Sequence, residues 1–214
     1  MRVIWIVLTI AFITACGGGG GGSSSGDNRD NGLPSGIMKE FPSIYILYPA
    51  PDEALKSSFT KVTAMFKREL DSEEVDSYFR ALFGAGFSSS SRYTYTKDSA
   101  LFRHSHYQFT GEAAKVSTFE WEISALMGFP SRPVEYVLSN FPSLNTNDYG
   151  PLRAYSLDVN FVDLDPQSVA EYTDELFAAG FKRKDSGEIC KYAGGTDYCF
   201  YGGGQTYGWA VYFD

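Results

Sequence analysis

Two histidines in a closely spaced pair are the first residues of this 214-residue chain whose arrangement could support chemistry. His104 and His106 are two residues apart, so on a β-strand both imidazoles would point to the same side and could bind one metal ion. Two ligands do not complete a metal site, and the sequence places no third ligand beside them. We interpret the pair as part of a solvated strand face and predict no cofactor.

A hydrolase is the alternative that these histidines leave open, with His104 or His106 acting together with carboxylates on a glycan or with a metal ion. A Ser-His-Asp or Cys-His mechanism would need one of the two, but no Gly-x-Ser-x-Gly turn accompanies them. The pairs Glu73-Glu74 and Asp163-Asp165 lie at predicted helix starts, where negative charge is stabilising without any catalytic role. The sequence therefore favours a protein that is not an enzyme.

Cys190 and Cys199 are placed symmetrically about Gly194 and Gly195, which is the composition of a tight hairpin turn. Two cysteines at such positions would face each other across the paired strands. We predict a disulfide between them. The chain has three cysteines, and these two remain as a pair when Cys16, close to the start of the chain, is set aside. A metal pair or a redox pair is the less favoured alternative, because no histidine is near and the spacing is not Cys-x-x-Cys.

Aromatic side chains are abundant, with 17 Phe, 15 Tyr and 3 Trp, a composition that suits antiparallel sheet. Trp121 and Trp209 occupy corresponding positions near the end of each half of the chain, where they could fill a core or stack against sugar rings. Core packing is the favoured interpretation. An exposed tyrosine cluster would instead indicate ligand binding, and its candidate members are Tyr192, Tyr198, Tyr201 and Tyr207.

An internal repeat organises the elements that would carry these residues. The stretch from Leu70 to Phe87 recurs from Leu164 to Phe181, at an offset of 94 residues without a gap. Both copies place apolar residues at helical spacing, begin at an aspartate (Asp71 or Asp165) and end at a glycine (Gly86 or Gly180). Glu74 completes a capping box in the first copy, and Pro166 suits the first helical position of the second. Each copy therefore predicts an amphipathic helix.

Strands are predicted on both sides of each helix. The first half has Lys61 to Phe66 before its helix and Arg92 to Lys97, Leu101 to Phe109 and Val116 to Ile123 after it. The second half has Tyr155 to Phe161 before its helix and Lys182 to Tyr192, Tyr198 to Tyr201 and Tyr207 to Phe213 after it. The run Gly202 to Gly204 is predicted as a loop, and Phe41-Pro42 and Phe141-Pro142 as segments that wrap over a sheet edge.

The prediction is an α+β fold, a tandem duplication of a β-α-β-β(-β) module in which one helix packs on a face of an antiparallel sheet in each half. The repeats would span residues 38–126 and 127–214, joined near Gly128-Phe-Pro130.

The start of the chain is typical of an exported protein. A single positive charge at Arg2 precedes an apolar run that is too short to span a membrane, and Ala15 is a small residue at the expected cleavage site. Ile13-Thr14-Ala15-Cys16 resembles the lipobox of bacterial lipoproteins, in which the signal, here residues 1–15, is removed and lipid is attached to the cysteine. An ordinary signal peptide with an incidental cysteine is the alternative.

Residues 16–37 would form a Gly/Ser-rich tether between the lipid and the folded part, since they carry few side chains that could support a packed structure. In lipoproteins of bacteria with two membranes, an aspartate after the lipidated cysteine retains the protein at the inner membrane. Gly17 stands there, so the resemblance implies the outer membrane. Over residues 38–214, the repeated module resembles in pattern the small exported modules of bacterial lipoproteins.

The net charge of −8, which becomes about −9 when residues 1–15 are removed with Arg2, argues against a nucleic-acid partner. We therefore predict a membrane-anchored, non-enzymatic binding module that engages an envelope protein or polymer. The alternatives are the exported hydrolase and a structural envelope protein without a ligand.

Overall fold

One continuous sheet of ten antiparallel strands forms the body of the molecule. In a computed structural model, we describe residues 37–47, 60–108, 111–124, 132–144, 146–161 and 164–214. Cys16 with the predicted signal and tether, the junction near residues 128–130, Phe109 and Asp163 lie outside these ranges.

The strands fall into two groups of five along the chain. Those of the first half are β1 (Thr60–Phe66), β2 (Ser88–Ser91), β3 (Thr94–Lys97), β4 (Ala100–Gln108) and β5 (Lys115–Ile123). Those of the second half are β6 (Leu152–Asn160), β7 (Lys182–Arg183), β8 (Ile189–Ala193), β9 (Thr196–Gly203) and β10 (Thr206–Phe213).

The order of strands in the sheet is β2-β3-β4-β5-β1-β6-β10-β9-β8-β7. The two halves meet at β1 and β6, which pair antiparallel with Val62 opposite Leu157. Outward from this central pair, each side continues through the last, fourth, third and second strand of its own half. Whether the halves share a sheet cannot be read from the repeat, and the structure shows that they do.

The helices are α1 (Ile44–Leu47), α2 (Ser72–Gly84), α3 (Pro133–Ser139), α4 (Thr146–Tyr149) and α5 (Pro166–Ala178), with a 3₁₀ turn at Ile37–Glu40. The long helices α2 and α5 begin as the sequence predicts. Asp71 and Glu74 form a capping box at α2, and the Asp165 carboxylate accepts a hydrogen bond from the Gln167 amide at α5. These caps satisfy amide groups that the first helical turn leaves without partners.

Both long helices also end alike. Gly86 and Gly180 follow α2 and α5 with φ angles of 88° and 89°, a left-handed conformation that favours glycine. The next amide in each copy, that of Phe87 or Phe181, donates to the carbonyl five residues earlier at 3.0 Å, the hydrogen bond of a Schellman motif. Both phenylalanines are buried, so the chain turns back toward the sheet at this point.

The core lies between the helices and one face of the sheet. Trp121, Val62, Leu157 and Trp209 are successive cross-strand neighbours in β5, β1, β6 and β10, and all four side chains are buried. The described helices all lie on this side of the sheet, the helix side. The fold is therefore α+β, with a large antiparallel sheet whose opposite face carries none of the described helices.

Several predicted elements needed correction. The predicted strand Lys182 to Tyr192 is divided into β7 and β8, because a tight turn closes with a 2.7 Å hydrogen bond from the Lys184 amide to the Glu188 carbonyl. The predicted strand from Arg92 begins at Thr94, and the exposed β2 was missed because four serines show no alternation of polarity. Gly202 and Gly203 belong to β9 and are not a loop.

The two Phe-Pro segments cross between the halves of the molecule. Phe41, ahead of the first half, packs on Phe181 of the second half with ring centroids 5.2 Å apart. Phe141, ahead of the second half, stacks on Phe87 of the first half, also at 5.2 Å. Each segment thus lies on the helix side and covers the half to which it does not belong.

Candidate functional site

The histidine pair lies on β4 with both rings on the helix side of the sheet, 4.7 Å apart between centroids. His104 is 6% exposed and packs against Phe79 and Phe119, so it does not belong to the solvated face that we predicted. His106 is more open, with Nδ1 3.3 Å from a Glu69 carboxylate oxygen. Burial, followed by the neighbouring His106, lowers the pKa of His104 to about 4.

Ser117 is the polar partner of His104, and no sequence motif marks it. Its hydroxyl accepts a hydrogen bond from the Leu70 amide at 2.9 Å and lies 3.4 Å from His104 Nε2. Such a serine–histidine contact is also found in hydrolases. The Ser117 side chain, however, is fully buried, and its hydroxyl bonds the backbone of the segment that leads into α2. In this position it cannot reach an external substrate.

Among the described residues, His104 Nδ1 is a buried nitrogen without a hydrogen bond. The one group of three possible metal ligands within 4.8 Å of one another in the described ranges is Glu188, Cys190 and Cys199, and it contains no histidine. The structure thus brings His104 and His106 together, and no third ligand joins them from the part of the chain that it describes.

The predicted disulfide between Cys190 and Cys199 is confirmed. The two residues are direct cross-strand neighbours in β8 and β9, with Cα atoms 4.1 Å apart, and both are buried. Gly194 and Gly195 form the turn between these strands with φ angles of 61° and 79°, as a two-residue hairpin requires. Because the two sulfurs are bonded to each other, they are not thiolate ligands for a metal beside Glu188.

The tryptophans lie in the core, where they are 1% (Trp121) and 0% (Trp209) exposed. Trp121 Nε1 donates to the Tyr78 hydroxyl and Trp209 Nε1 to the Tyr172 hydroxyl, both at 2.8 Å. In this arrangement neither indole is available to stack on a ligand. Their role is to position a tyrosine of the overlying helix.

Each of these tyrosines continues the chain of hydrogen bonds to the crossing segment. The Tyr78 hydroxyl donates to the Pro142 carbonyl at 3.0 Å, and the Tyr172 hydroxyl donates to the Pro42 carbonyl at 3.2 Å. Burial raises the pKa of both phenols, so they stay protonated and keep donating. Both tyrosines belong to the apolar helical faces that the repeat predicts, and their shared offset of 94 residues was the sequence signal for a common role.

The candidate tyrosine cluster is divided between the two faces of the sheet. Tyr198 and Tyr207 lie on the helix side, where Tyr207 is buried and Tyr198 packs on Phe41. Tyr201 and Tyr192 lie on the opposite face, where the Tyr201 hydroxyl donates to the Asp158 carboxylate at 2.7 Å and Tyr192 is 64% exposed. The four residues therefore do not form one surface.

The second face of the sheet, which we call the open face, is instead lined by alternating residues of the central strands. Lys61 pairs with Asp158 at 3.3 Å, and Arg103 pairs with Glu122 at 3.1 Å. Further members of this face, identified from the strand register, are Thr63 and Met65 of β1, Glu120 of β5, Ser156 of β6, Tyr107 of β4 and Tyr212 of β10.

The open face combines polar and aromatic groups. Tyr107 and Tyr212 are 49% and 40% exposed, and the Tyr201 ring lies across Gly208, where a Cβ atom would overlap it. Tyrosines of this kind offer apolar area and a hydrogen-bonding group at little conformational cost. The arrangement is suited to contact with a protein surface or a polymer, and the sequence did not show it because assigning residues to this face requires the register.

Two phenylalanines of the predicted helical faces point outward. Phe83 near the end of α2 is 53% exposed, and Phe177 near the end of α5 is 42% exposed. Arg183 lies over the Phe177 ring at 6.0 Å, and Lys97 Nζ donates to the Ala85 carbonyl at 2.7 Å beside the end of α2. Phe177 thus has a cation over its exposed ring, whereas the Lys97 ammonium lies over the Phe87 ring at 5.8 Å.

Within the described ranges, no helix combines the length and the apolar character needed to cross a bilayer. The chain matches no model of a known protein family, no curated protein and no solved structure. Inferences about function therefore depend on the chain's own residues and geometry.

Proposed function

We propose that this protein is a bacterial envelope lipoprotein, held at the membrane by lipid on Cys16, whose folded part is a non-enzymatic binding module for an envelope protein or polymer. The lipobox-like sequence before Cys16 and the Gly/Ser-rich stretch after it support the anchor. Gly17 supports the outer membrane in a host that has one. The observation that carries the binding proposal is the open face, a broad polar and aromatic sheet surface without a described helix over it.

The two halves, in this proposal, are duplicated modules. The offset of 94 residues covers the helix, both of its ends and the tyrosine that binds a tryptophan. The strand order is also the same outward from the β1–β6 pair on both sides. A duplicated module that shares one sheet presents roughly twice the open face of a single module, which favours an extended partner over a small ligand.

An exported hydrolase is less well supported by the geometry. It would need His104 or His106 beside a reachable nucleophile, metal or acid. His104 is buried with a lowered pKa, and Ser117 beside it is fully buried. His106 has a carboxylate neighbour in Glu69, a contact that an exposed ion pair also explains.

The anchor is tested by expressing the full chain in a bacterium and measuring the mass of its N-terminal peptide. We expect cleavage before Cys16 with diacylglycerol and a fatty acyl chain on that residue, and recovery of the protein with membranes. The Cys16→Ser variant should be released in soluble form. An unmodified Cys16 thiol on a chain that keeps residues 1–15 would refute the anchor.

The binding surface is tested by placing a photo-crosslinking amino acid at Tyr212 on the open face and, as a matched control, at Tyr136 on α3. Both side chains are tyrosines with similar exposure, 40% and 42%. In intact cells we expect a discrete crosslinked product from Tyr212 and none of that mass from Tyr136. Equal products from the two positions, or a product from Tyr136 alone, would contradict the assignment of the binding surface.

A further inference from the structure

Two phenylalanines of the helix side are only partly covered, although the Phe83 ring also meets the Tyr95 ring edge-on with centroids 5.1 Å apart. Phe83 and Phe177 stand at equivalent positions of α2 and α5, 94 residues apart, and each leaves about half of its side chain exposed. Side chains earlier on the same helices, such as Val75 of α2 and Tyr172 of α5, are buried. The two rings are thus outward-facing in both halves of the molecule.

A cation lies near the end of each of these helices. Arg183 lies over the Phe177 ring, and Lys97 is held against the end of α2 by its hydrogen bond to the Ala85 carbonyl. An aromatic ring with a neighbouring Lys or Arg is the combination that binds at a membrane interface, because the ring enters the region between headgroups and acyl chains while the cation meets phosphate. Tyr45 and Tyr136, which are 39% and 42% exposed, add amphipathic rings to the helix side.

The chain also enters the folded body on the helix side. The 3₁₀ turn at Ile37–Glu40 contacts this side, with Lys191 Nζ 3.4 Å from a Glu40 carboxylate oxygen and Phe41 on the Phe181 ring. Twenty residues, 17–36, separate it from Cys16. Lipid attached to Cys16 would therefore join the folded body on the helix side and not on the open face.

We propose that the helix side of the protein faces the bilayer, with Phe83 and Phe177 in the headgroup region, and that the open face points away into the aqueous space. This orientation rests on the proposed lipid anchor at Cys16. It gives the two faces separate roles, since one lies on lipid while the other is left free for a partner.

The charges on the helices indicate which lipid headgroups fit the helix side. Exposed carboxylates, among them Glu73, Asp76 and Asp174, lie on α2 and α5, so a strongly anionic bilayer would repel this side. The fitting surface is zwitterionic, such as phosphatidylcholine or phosphatidylethanolamine. Added anionic lipid should weaken the contact.

The orientation is tested with acylated protein in phosphatidylcholine vesicles and a nitroxide label on Phe83→Cys, Phe177→Cys or, as control, Tyr212→Cys. The label reacts at the new thiol alone, because Cys190 and Cys199 are bonded to each other and Cys16 carries lipid. The replaced rings are about half exposed, and far-ultraviolet circular dichroism verifies that each variant folds. We expect the accessibility ratio of oxygen to a water-soluble nickel chelate to rise severalfold at positions 83 and 177, relative to unacylated Cys16→Ser protein, and to stay unchanged at position 212.

The outcomes separate the orientation from the anchor. Acylated protein, verified by mass spectrometry, whose three labels all remain fully accessible to the chelate would overturn the orientation and leave the anchor intact. A missing acyl group overturns both. Labels at 83 and 177 that stay accessible on vesicles and become immobilised when envelope proteins are added would assign the rings to a protein interface, which also overturns the lipid contact.

Discussion

Tyr78 and Tyr172 each hold two hydrogen bonds in the core, accepting one from a tryptophan and donating one to a proline carbonyl. A buried donor or acceptor that loses its partner costs about 1–3 kcal/mol, whereas an exposed ion pair contributes about 0–1 kcal/mol. Pairs such as Arg103–Glu122 lie on the surface. At the level of single residues, the hydrogen bonds of the aromatic side chains therefore contribute more to the stability of the fold than the surface ion pairs do.

The pKa of His104 leads to a prediction about acid stability. Its pKa is about 4 in the folded chain against an ordinary 6.5, so the unfolded chain binds the proton first. Stability should therefore fall as the pH drops from about 6.5 toward 4, by up to about 3 kcal/mol from this residue. Urea unfolding of wild type and His104→Phe at pH 7 and 4.5 measures it, and the variant should lose less stability between these pH values.

His106→Gln is the control for this prediction. Its imidazole is the minor cause of the lowered pKa of His104, after burial, so the variant should keep most of the pH dependence. If His104→Phe and wild type lose equal stability between pH 7 and 4.5, the buried histidine is not responsible for the acid sensitivity.

Helix ends are the elements that local sequence specifies best. The start of α2 at Asp71 and the stops at Gly86 and Gly180 were predicted because caps and left-handed glycines involve neighbours within five residues. The exposed β2 and the turn between β7 and β8 were missed. Whether such a segment pairs as a strand depends on residues outside its own stretch of sequence, and a window of local sequence does not contain them.

Two glycines at helix ends should respond in opposite directions to the same substitution. Gly180→Ala forces a side chain into a φ of 89° and should cost about 1 kcal/mol. Gly84→Ala at the end of α2 meets open space and should stabilise by up to about 1 kcal/mol through helix propensity. Thermal unfolding of the two variants compares them directly. Equal shifts in the same direction would show that the left-handed stop does not matter.

At the scale of the molecule, the contacts that join the halves include the β1–β6 pair and the crossing Phe-Pro segments. Phe41 and Pro42 stabilise α5, while Phe141 and Pro142 stabilise α2. Removal of one half would therefore expose the central strand of the other and also uncover its helix. We infer that neither half is complete without its neighbour's segment.

The crossing predicts where a local perturbation should appear. Phe41→Leu should cost about 1 kcal/mol and speed local amide hydrogen exchange in α5, the helix of the other half. Phe141→Leu should do the same in α2. Exchange followed by mass spectrometry resolves the two helices, and each variant serves as the control for the other. Faster exchange in α2 from Phe41→Leu, with α5 unchanged, would contradict the crossed arrangement.

The sequence by itself determined the two helices, their ends, the disulfide and most strand positions, because these depend on local periodicity, caps and turns. The expected lipid anchor also comes from the sequence alone and stays a prediction. Tertiary structure decided the order of the ten strands, the shared sheet, the burial of His104 and the crossing of Phe41 and Phe141. The physical reason is that register and crossing depend on contacts between residues far apart in the chain, and the free energy of burying a side chain depends on which distant surface covers it.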